Sequence, residues 1–423
     1  MPREIDPYFE RFGYCERQIV DPPAPDLGLV VVIPCFNEPD LLASLDSLRR
    51  CEHPACAVEV LVVVNAATNS QKDVHLQNAL TLRESAAWAS EHTDDKFALR
   101  LLHFPELPPR HAGVGLARKI GMDEAARHLD DVGNSGGIIA CFDADCRCAP
   151  NYLTGLERHF REHPGSPGCS IYFEHSLEDC TPELSAGIAA YELHLRYYVQ
   201  ALRFAGAPFA HHTIGSCMAV RPEAYKKQGG MNKRQAGEDF YFLQKIIALG
   251  GFTDLVETTV FPSARVSDRV PFGTGKAMRD HLDGQPQLRY PLEAFVDLKC
   301  FFDQAPALLC QPNSLMCPMP ESWPATIKSF LEPNEFAKAM RDILENSASE
   351  STRRKRFFHW FNAFQAMKFI HHARDRYYGA KEVTDEAARL LPLISSQNAC
   401  GLSTRELLQV YREIERASPQ RGR

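Results

Sequence analysis

Two aspartates two residues apart, Asp143 and Asp145, follow the apolar run Ile138–Phe142. In an extended chain, residues two apart face the same side, so both carboxylates would point to one place. Two hard oxygen donors without thiolates suit Mg²⁺ or Mn²⁺, with phosphate oxygens completing the coordination. Ordinary turns are capped by the same residue types, so the Asp-x-Asp pattern alone leaves both interpretations open.

A second acidic pair, Glu238 and Asp239, opens a segment whose apolar residues repeat at helical spacing. Acidic residues in a first turn stabilise a helix through its dipole, and this explanation requires no function. A helix terminus also lowers the pKa of a carboxylate, which then stays ionised and can accept a proton from a hydroxyl. The pair is therefore either a helix cap or a source of a general base.

A glycine-containing segment, Gly113 to Lys119, superficially suggests a dinucleotide-binding loop. It does not directly follow a strong strand, and Arg118 occupies the last glycine position of that pattern. We interpret Arg118 as a pyrophosphate contact near a helix start, where backbone N–H groups also bind anions. The segment Gly273–Lys276 likewise lacks the spacing and the preceding strand of a P-loop.

The elements that would position these residues alternate between strands and helices. The apolar runs Leu29–Ile33 and Val58–Val64 are typical of strands buried on both faces, and leucines between them recur at helical spacing. A strand at 97–102, a helix over 115–129 and a strand over 138–142 continue the pattern. We therefore predict the α/β class: a mostly parallel sheet flanked by helices, with ligands at the carboxyl ends of the strands.

The domain organisation follows from changes in this pattern. Residues 1–27 are polar and proline-rich and predict an N-terminal arm, whereas 28–290 predict the sheet domain. A long helix around Ile188–Leu202 is included in that domain because its apolar residues continue the same core. Residues 291–423 predict a mainly helical C-terminal region.

Composition limits the partners. The chain has 423 residues and a formal net charge of −7, which argues against a general affinity for nucleic acid or anionic lipid. The first residues contain no apolar segment typical of a secretory signal, and no apolar run is long enough to span a bilayer. We expect no transmembrane segment and a cytoplasmic location.

Five segments, in order, resemble motifs of the family-2 glycosyltransferases, whose fold is called GT-A. The resemblance extends over residues 29–250, a little over half of the chain. The segments are Val30-Val-Val-Ile-Pro34-Cys-Phe-Asn37-Glu38, Gly115-Leu-Ala-Arg118-Lys119-Ile-Gly121, Phe142-Asp143-Ala144-Asp145, Gly215–Tyr225, and Gly229-Gly230-Met with the following Glu238-Asp239.

The resemblance implies a GT-A-type sheet domain that transfers a sugar from a nucleotide-diphosphate sugar to an acceptor hydroxyl, with Mn²⁺ or Mg²⁺. Asp145 and Asp143 would hold the metal, and Asp239, beside Glu238, would be the catalytic base, as expected for inversion. The donor-binding residues would be Pro34, Asn37, Glu38, Asn65, Arg118, Asp143, Arg265 and Arg269. The acceptor-binding residues would be Gly215, Ser216 and His212.

The sequence departs from the family pattern at two places. Asn65 stands where many members carry an Asp for the nucleobase, and an amide offers donors as well as an acceptor. The window 263–269, where soluble relatives often place a metal-binding His, contains no His. We expect Arg265 and Arg269 to neutralise the leaving diphosphate there, with Asp268 as the candidate for an additional metal ligand.

Two other functions stay open at this point. A sugar-phosphate nucleotidyltransferase shares the architecture and the metal carboxylates, although it usually carries a glycine-rich basic loop where this chain has Pro34-Cys-Phe-Asn-Glu38. A non-catalytic nucleotide-sugar-binding protein on the same fold is the other alternative. The sugar, the acceptor (a small metabolite or a glycan) and the formation of a homodimer are also open. Residues 271–275 predict either a mobile lid or an ordinary turn.

Overall fold

The structure is a computed structural model that describes residues 6–178, 180–266, 273–285, 288–308 and 319–419. Contacts within the chain divide it into two compact units. The first contains residues up to Cys180, Thr213–Arg279 and the segment from Ser418 onward, and the second contains Thr181–His212 and Asp280–Ala417.

The helices and strands of the described residues alternate through the first half of the chain, and helices predominate afterwards. In chain order they are α1 Pro7–Phe12, β1 Leu27–Cys35, α2 Leu41–Arg49, β2 Ala57–Ala67, α3 Lys72–His92, β3 Phe97–Leu107, α4 Val114–Asp131, β4 Ile138–Cys141, β5 Arg147–Cys148, α5 Tyr152–Glu162, β6 Gly168–Phe173, α6 Pro182–Phe204, β7 Met218–Val220, α7 Pro222–Lys227, α8 Glu238–Ile247, β8 Thr253–Phe261, α9 Thr274–Leu282, β9 Leu288–Arg289, α10 Leu292–Leu308, α11 Ala325–Phe330, α12 Pro333–Glu345, α13 Glu350–Trp360, α14 Ala363–Ala373, a π-helical turn Arg374–Tyr378, β10 Lys381–Glu382, α15 Val383–Ile394 and α16 Thr404–Ala417.

The first unit is built around an eight-stranded sheet formed by described residues, in the order β3-β2-β1-β4-β7-β6-β8-β5. The strands β3, β2, β1 and β4 are parallel neighbours, joined through helices. Beyond β4 the sheet is mixed, because β7 is antiparallel to both β4 and β6, β8 is parallel to β6, and β5 is antiparallel to β8. The predicted α/β class with a helical C-terminal region is confirmed, and the parallel pairing is concentrated in one half of the sheet.

The central strands are buried because their sequences are apolar without alternation. From Leu27 to Ile33 every residue of β1 is buried, and so is β2 from Ala57 to Ala66. A strand of this kind requires cover on both faces, which the crossover helices of a parallel sheet provide. The runs predicted as strands from the sequence therefore form the centre of the sheet.

Helix α4 packs closely on two sides because Gly121 faces the sheet and Gly115 faces the segment that leads into α8. A Cβ atom on Gly121 would lie 2.5 Å from Val32 Cγ1, closer than such atoms approach in proteins, and 3.1 Å from Val63 Cγ2. A Cβ on Gly115, on the opposite side, would lie 3.0 Å from Glu238 Cβ. The glycines of the Gly115–Gly121 motif thus serve close packing of α4, and this packing fixes the position of Arg118 between them.

The N-terminal arm is ordered against helix α4. Helix α1 buries Tyr8, whose hydroxyl donates to Asp123 Oδ1 at 2.7 Å, and Lys119 Nζ lies 3.1 Å from the same carboxylate. Further along the arm, Ile19 is buried and its N–H donates to Glu124. The arm therefore contributes to the core of the first unit.

The second unit is helical and contains α6 and α10 to α16. Its core includes a charged cluster, in which Glu192 accepts hydrogen bonds from Arg196 and Arg412, and Arg196 also pairs with Glu415. The sequence analysis predicted that α6 belongs to the sheet domain, whereas the contacts of α6 group this helix with the C-terminal helices. No helix in the described part of the chain combines the length and apolar character needed to cross a bilayer.

Candidate functional site

Polar residues gather at the carboxyl ends of three adjacent parallel strands. Strand β1 ends at Pro34 and Cys35 and is followed by Asn37 and Glu38, β2 carries Asn65 near its end, and β4 is followed by Asp143. Since β2, β1 and β4 are neighbours and run in one direction, these residues lie at one edge of the sheet. Open parallel sheets bind ligands at this edge.

A side chain that the sequence analysis missed, Asn78 of α3, connects the first two strand ends. Its Oδ1 accepts from the Asn37 N–H at 2.9 Å, and its Nδ2 donates to the Asn65 carbonyl at 2.9 Å. Asn37 has a φ of 50°, a conformation that Asn adopts more readily than most residues. The sequence of α3 gave no clear signal for it, because three of the five residues that this helix buries are polar: Asn78, Thr81 and Ser85.

The Asp-x-Asp segment adopts a turn, contrary to the extended conformation predicted from the sequence. The strand ends at Cys141, and the N–H of Cys146 donates to the carbonyl of Asp143 at 3.0 Å, closing the turn. Asp143 contacts Arg118 at 2.5 Å, whereas Asp145 contacts Arg265 at 3.1 Å. The two carboxylates are therefore engaged by two different guanidinium groups.

Arg118 is the centre of the deeper part of the site. Its side chain is 4% exposed and pairs with Asp143 through Nη2 and with Glu238 through Nη1. Burial disfavours its charge, but Asp143 and Glu238 outweigh that effect and raise the pKa of Arg118 above its usual value. A Cβ atom on Gly215 would lie 2.6 Å from the guanidinium carbon of Arg118, so a glycine is required there.

Helix α8 begins with the acidic pair. Asp239 accepts backbone hydrogen bonds from Gly215 at 2.9 Å and from Phe240 at 2.7 Å, which hold its carboxylate in one orientation. Glu238 is 2% exposed, whereas Asp239 is only half-buried. Asp239 is thus the more accessible member of the pair, and its oxygens are positioned by the backbone.

The protonation of this pair differs from the sequence-based expectation of a low pKa. Burial raises the pKa of Glu238 to about 7, with Arg118 opposing the shift and Asp239 adding to it. The pKa of Asp239 is also raised, by burial first, although Arg118 and the two backbone donors oppose this. The effect of the helix terminus is present, but desolvation exceeds it.

Arg265 lies against three carboxylates near the end of β1. It forms a forked pair with Glu38, with Nη1 at 3.0 Å from Oε1 and Nη2 in contact with Oε2. Nη2 is also 3.1 Å from Asp145, and Nη1 is 3.5 Å from Asp40. Arg265 therefore links the segment after β8 to both the β1 end and the Asp-x-Asp turn.

Of the remaining predicted residues, Ser216 and His212 lie in the described part of the chain. Ser216 is buried, with its hydroxyl 3.5 Å from Cys217 Sγ. His212 belongs to the second unit, where its Nε2 lies 2.9 Å from Glu415, so its acceptor role stays a prediction without a supporting contact. Asp268 and Arg269 lie outside the described residues, as do Pro271 and Phe272 of the predicted lid. The described part of that segment leads into α9.

The carboxylates do not form a ready divalent-metal site. Among the described residues, no group of three or more His, Cys, Asp or Glu side chains is arranged to hold a metal ion. Asp143 and Asp145 each contact an arginine, and Arg265 occupies the side of Asp145 that faces Glu38. A divalent ion at Asp145 would lie beside a guanidinium that already binds this carboxylate, and the two like charges would repel each other. The pair as arranged therefore does not fit the predicted Mn²⁺ or Mg²⁺.

Comparisons with known proteins give structural similarities at low sequence identity. No protein-family model and no curated protein matches the chain. Residues 1–349 of S. aureus TarS in complex with UDP-GlcNAc align with 14% identity and a TM-score of 0.40, over 92% of this chain and 91% of that one.

Two further solved structures are similar at the same level. The mannosyltransferase PcManGT from Pyrobaculum calidifontis, in complex with GDP-Man and Mn²⁺, aligns with 15% identity and a TM-score of 0.35 over 97% of this chain and 93% of that one. Glucosyl-3-phosphoglycerate synthase from Mycobacterium tuberculosis, in complex with Mn²⁺, UDP and glucosyl-3-phosphoglycerate, aligns with 16% identity and a TM-score of 0.35 over 65% and 80%. TM-scores of this size do not by themselves assign a family or an activity.

Proposed function

We propose that this protein transfers a sugar from a nucleotide-diphosphate sugar to an acceptor hydroxyl. The observation that supports it is the network in which Arg118 pairs with both Asp143 and Glu238, beside the backbone-held Asp239. This network contains one cationic group, Arg118, and one accessible carboxylate, Asp239; Arg265 supplies a second cation through its contact with Asp145. The motif resemblance likewise implies that Asp239 is the base and that Arg118 binds the donor.

In this proposal the donor lies across the strand ends. The nucleoside occupies the side of the β1 and β2 ends, where Asn65, Asn37 and the bridging Asn78 lie. The diphosphate lies near Arg118 and Arg265, whose charges stabilise the negative charge that develops on the departing nucleoside diphosphate. Such preorganised cations lower the barrier most where charge accumulates in the transition state.

The acceptor hydroxyl is deprotonated by Asp239. Its two backbone hydrogen bonds hold the carboxylate in place, so little reorganisation is required when the proton is transferred. The raised pKa brings Asp239 closer to the working pH, which favours general-base catalysis. Direct attack by the acceptor on the anomeric carbon would invert its configuration, and the roles of Gly215 and Ser216 at the acceptor remain part of the proposal.

The predicted requirement for Mn²⁺ or Mg²⁺, the cytoplasmic location and a homodimer stay predictions. Asp143 and Asp145 each contact an arginine, which does not fit a divalent ion there, so the proposed reaction uses the side chains of the protein alone.

The experiment that tests the function is a donor screen. The purified protein is incubated with UDP-, GDP-, ADP- and dTDP-sugars, with and without Mn²⁺, and released nucleoside diphosphate is measured. We expect release from one nucleotide class, slowly by hydrolysis without an acceptor and faster with one. Release of pyrophosphate from a nucleoside triphosphate and a sugar phosphate would indicate a nucleotidyltransferase instead. Binding of a nucleotide sugar without any turnover would indicate the non-catalytic alternative.

A further inference from the structure

We propose that the guanidinium of Arg265 takes the place at Asp145 that a divalent cation would take, so that the protein binds its nucleotide without a metal. This proposal rests on the proposed function, since it concerns how the same site holds a nucleoside diphosphate. It departs from the metal requirement that the sequence predicts.

Arg265 is fixed in position by a buried partner. Glu38 is 1% exposed and receives both ends of the guanidinium fork. Withdrawal of Arg265 would remove a positively charged partner from a buried carboxylate, which is unfavourable. The hydrogen bond from the Asp40 N–H to Glu38 Oε1, at 2.9 Å, further restricts the carboxylate. These contacts therefore hold the guanidinium of Arg265 in a fixed position.

The same guanidinium reaches the Asp-x-Asp turn. Its Nη2 lies 3.1 Å from Asp145 Oδ2, on the oxygen that a metal ligand would offer. A divalent ion on the same carboxylate would lie beside the guanidinium, and the two like charges would repel each other. Asp145 thus already holds a cation, one supplied by the chain itself.

The guanidinium can also serve a phosphate. Both Nη groups of Arg265 already contact carboxylates, Glu38 and Asp145. Its Nε is buried and has no hydrogen-bond partner among the described residues, so Nε is the donor left for a phosphate oxygen. Arg265 would then lie between the Asp145 carboxylate and a phosphate, the position that the divalent ion has in a metal-bridged site.

Two arginines together match the charge of one divalent ion. Arg118 and Arg265 approach the Asp-x-Asp turn through its two aspartates, and each contributes one positive charge. A divalent ion bound beside the guanidinium is the competing outcome, and it would make nucleotide affinity depend on metal.

The test compares nucleotide affinities with and without metal. Dissociation constants of UDP, GDP, ADP and dTDP are measured calorimetrically on the full chain, in EDTA and in Mn²⁺. We expect the preferred nucleotide to bind in EDTA within about threefold of its affinity in Mn²⁺. Affinity that falls more than tenfold in EDTA would overturn the proposal while the proposed function stands. If no nucleotide binds in either condition, the proposed function itself fails.

Variants at Arg265 provide the second readout. Arg265→Gln should weaken nucleotide binding in EDTA by more than tenfold, and Mn²⁺ should restore part of it, because Asp145 then becomes available to the ion. If Arg265→Gln alone does not fold, the double variant Glu38→Gln/Arg265→Gln replaces it, because this variant also removes the buried negative charge of Glu38. Arg158→Gln, which removes an exposed arginine paired with Glu257, is the matched control. Unchanged binding of Arg265→Gln in EDTA would overturn the proposal.

Discussion

Arg118 and Asp143 form an ion pair of 2.5 Å that joins helix α4 to the turn after β4. The same guanidinium pairs with Glu238, so one buried side chain connects α4, the Asp-x-Asp turn and the start of α8. Replacement of Arg118 by lysine keeps the charge but loses the fork. We predict that Arg118→Lys folds but binds nucleoside diphosphate at least tenfold more weakly, as measured by calorimetry. Affinity equal to that of the unmodified protein would show that Arg118 does not contact the diphosphate.

Gly215 leaves the space that Arg118 occupies. A Cβ at position 215 would lie 2.6 Å from the guanidinium carbon, so Gly215→Ala must displace Arg118 from its partners. We predict that nucleotide affinity and turnover both fall by at least tenfold. Gly165→Ala is the control, because a Cβ there meets no atom within 4 Å. If both variants behave alike, the contact between Gly215 and Arg118 is not important for function.

Asn78 holds the β1 and β2 ends through its two hydrogen bonds. In Asn78→Ala both bonds are lost and a buried backbone N–H and carbonyl are left without their partner, which costs roughly 1–3 kcal/mol of unfolding free energy. We predict this loss in chemical denaturation, together with weaker nucleotide binding. Arg83→Ala, an exposed substitution on the same helix, should change neither quantity. An unchanged nucleotide affinity in Asn78→Ala would separate this residue from the binding site.

The pKa of Glu238 predicts a specific pH dependence of stability. Its folded-state pKa is about 7 and its ordinary value is 4.5, so the folded protein binds this proton more tightly than the unfolded chain does. The resulting stabilisation is complete below pH 4.5 and is lost as the pH rises through 7. Relative to Glu238→Gln, the unfolding free energy should fall as the pH rises over that range. Parallel pH profiles for the two proteins would contradict the raised pKa.

The order of strands and helices was accessible from the sequence because buried parallel strands require continuous apolar runs. The segments Leu29–Ile33 and Val58–Val64 have this character, and they became β1 and β2. Asp143 and Asp145 followed from the same pattern, whereas Pro34, Asn37, Glu38 and Asn65 came from the motif resemblance. The mixed half of the sheet was not accessible, since short strands such as β5 and β7 carry little periodicity.

The contacts within the site could not be predicted because they join distant parts of the chain. Arg265 and Glu38 are 227 residues apart in sequence, and nothing local indicates that they pair. The Asp-x-Asp segment was expected to be extended, but a turn bond between Asp143 and Cys146 separates its carboxylates. The raised pKa values of Glu238 and Asp239 depend on burial by other elements, which the helix-terminus argument does not contain.

The most direct test of the central claim is Asp239→Asn, measured with the donor identified in the screen. General-base catalysis contributes about 10²–10⁴-fold to rate, so turnover should fall by that factor while nucleotide affinity stays within about threefold. Asp385→Asn, which alters an exposed aspartate in the first turn of α15, should leave both unchanged. Sugar transfer by Asp239→Asn at a rate close to that of the unmodified protein would contradict the assignment of Asp239 as the base.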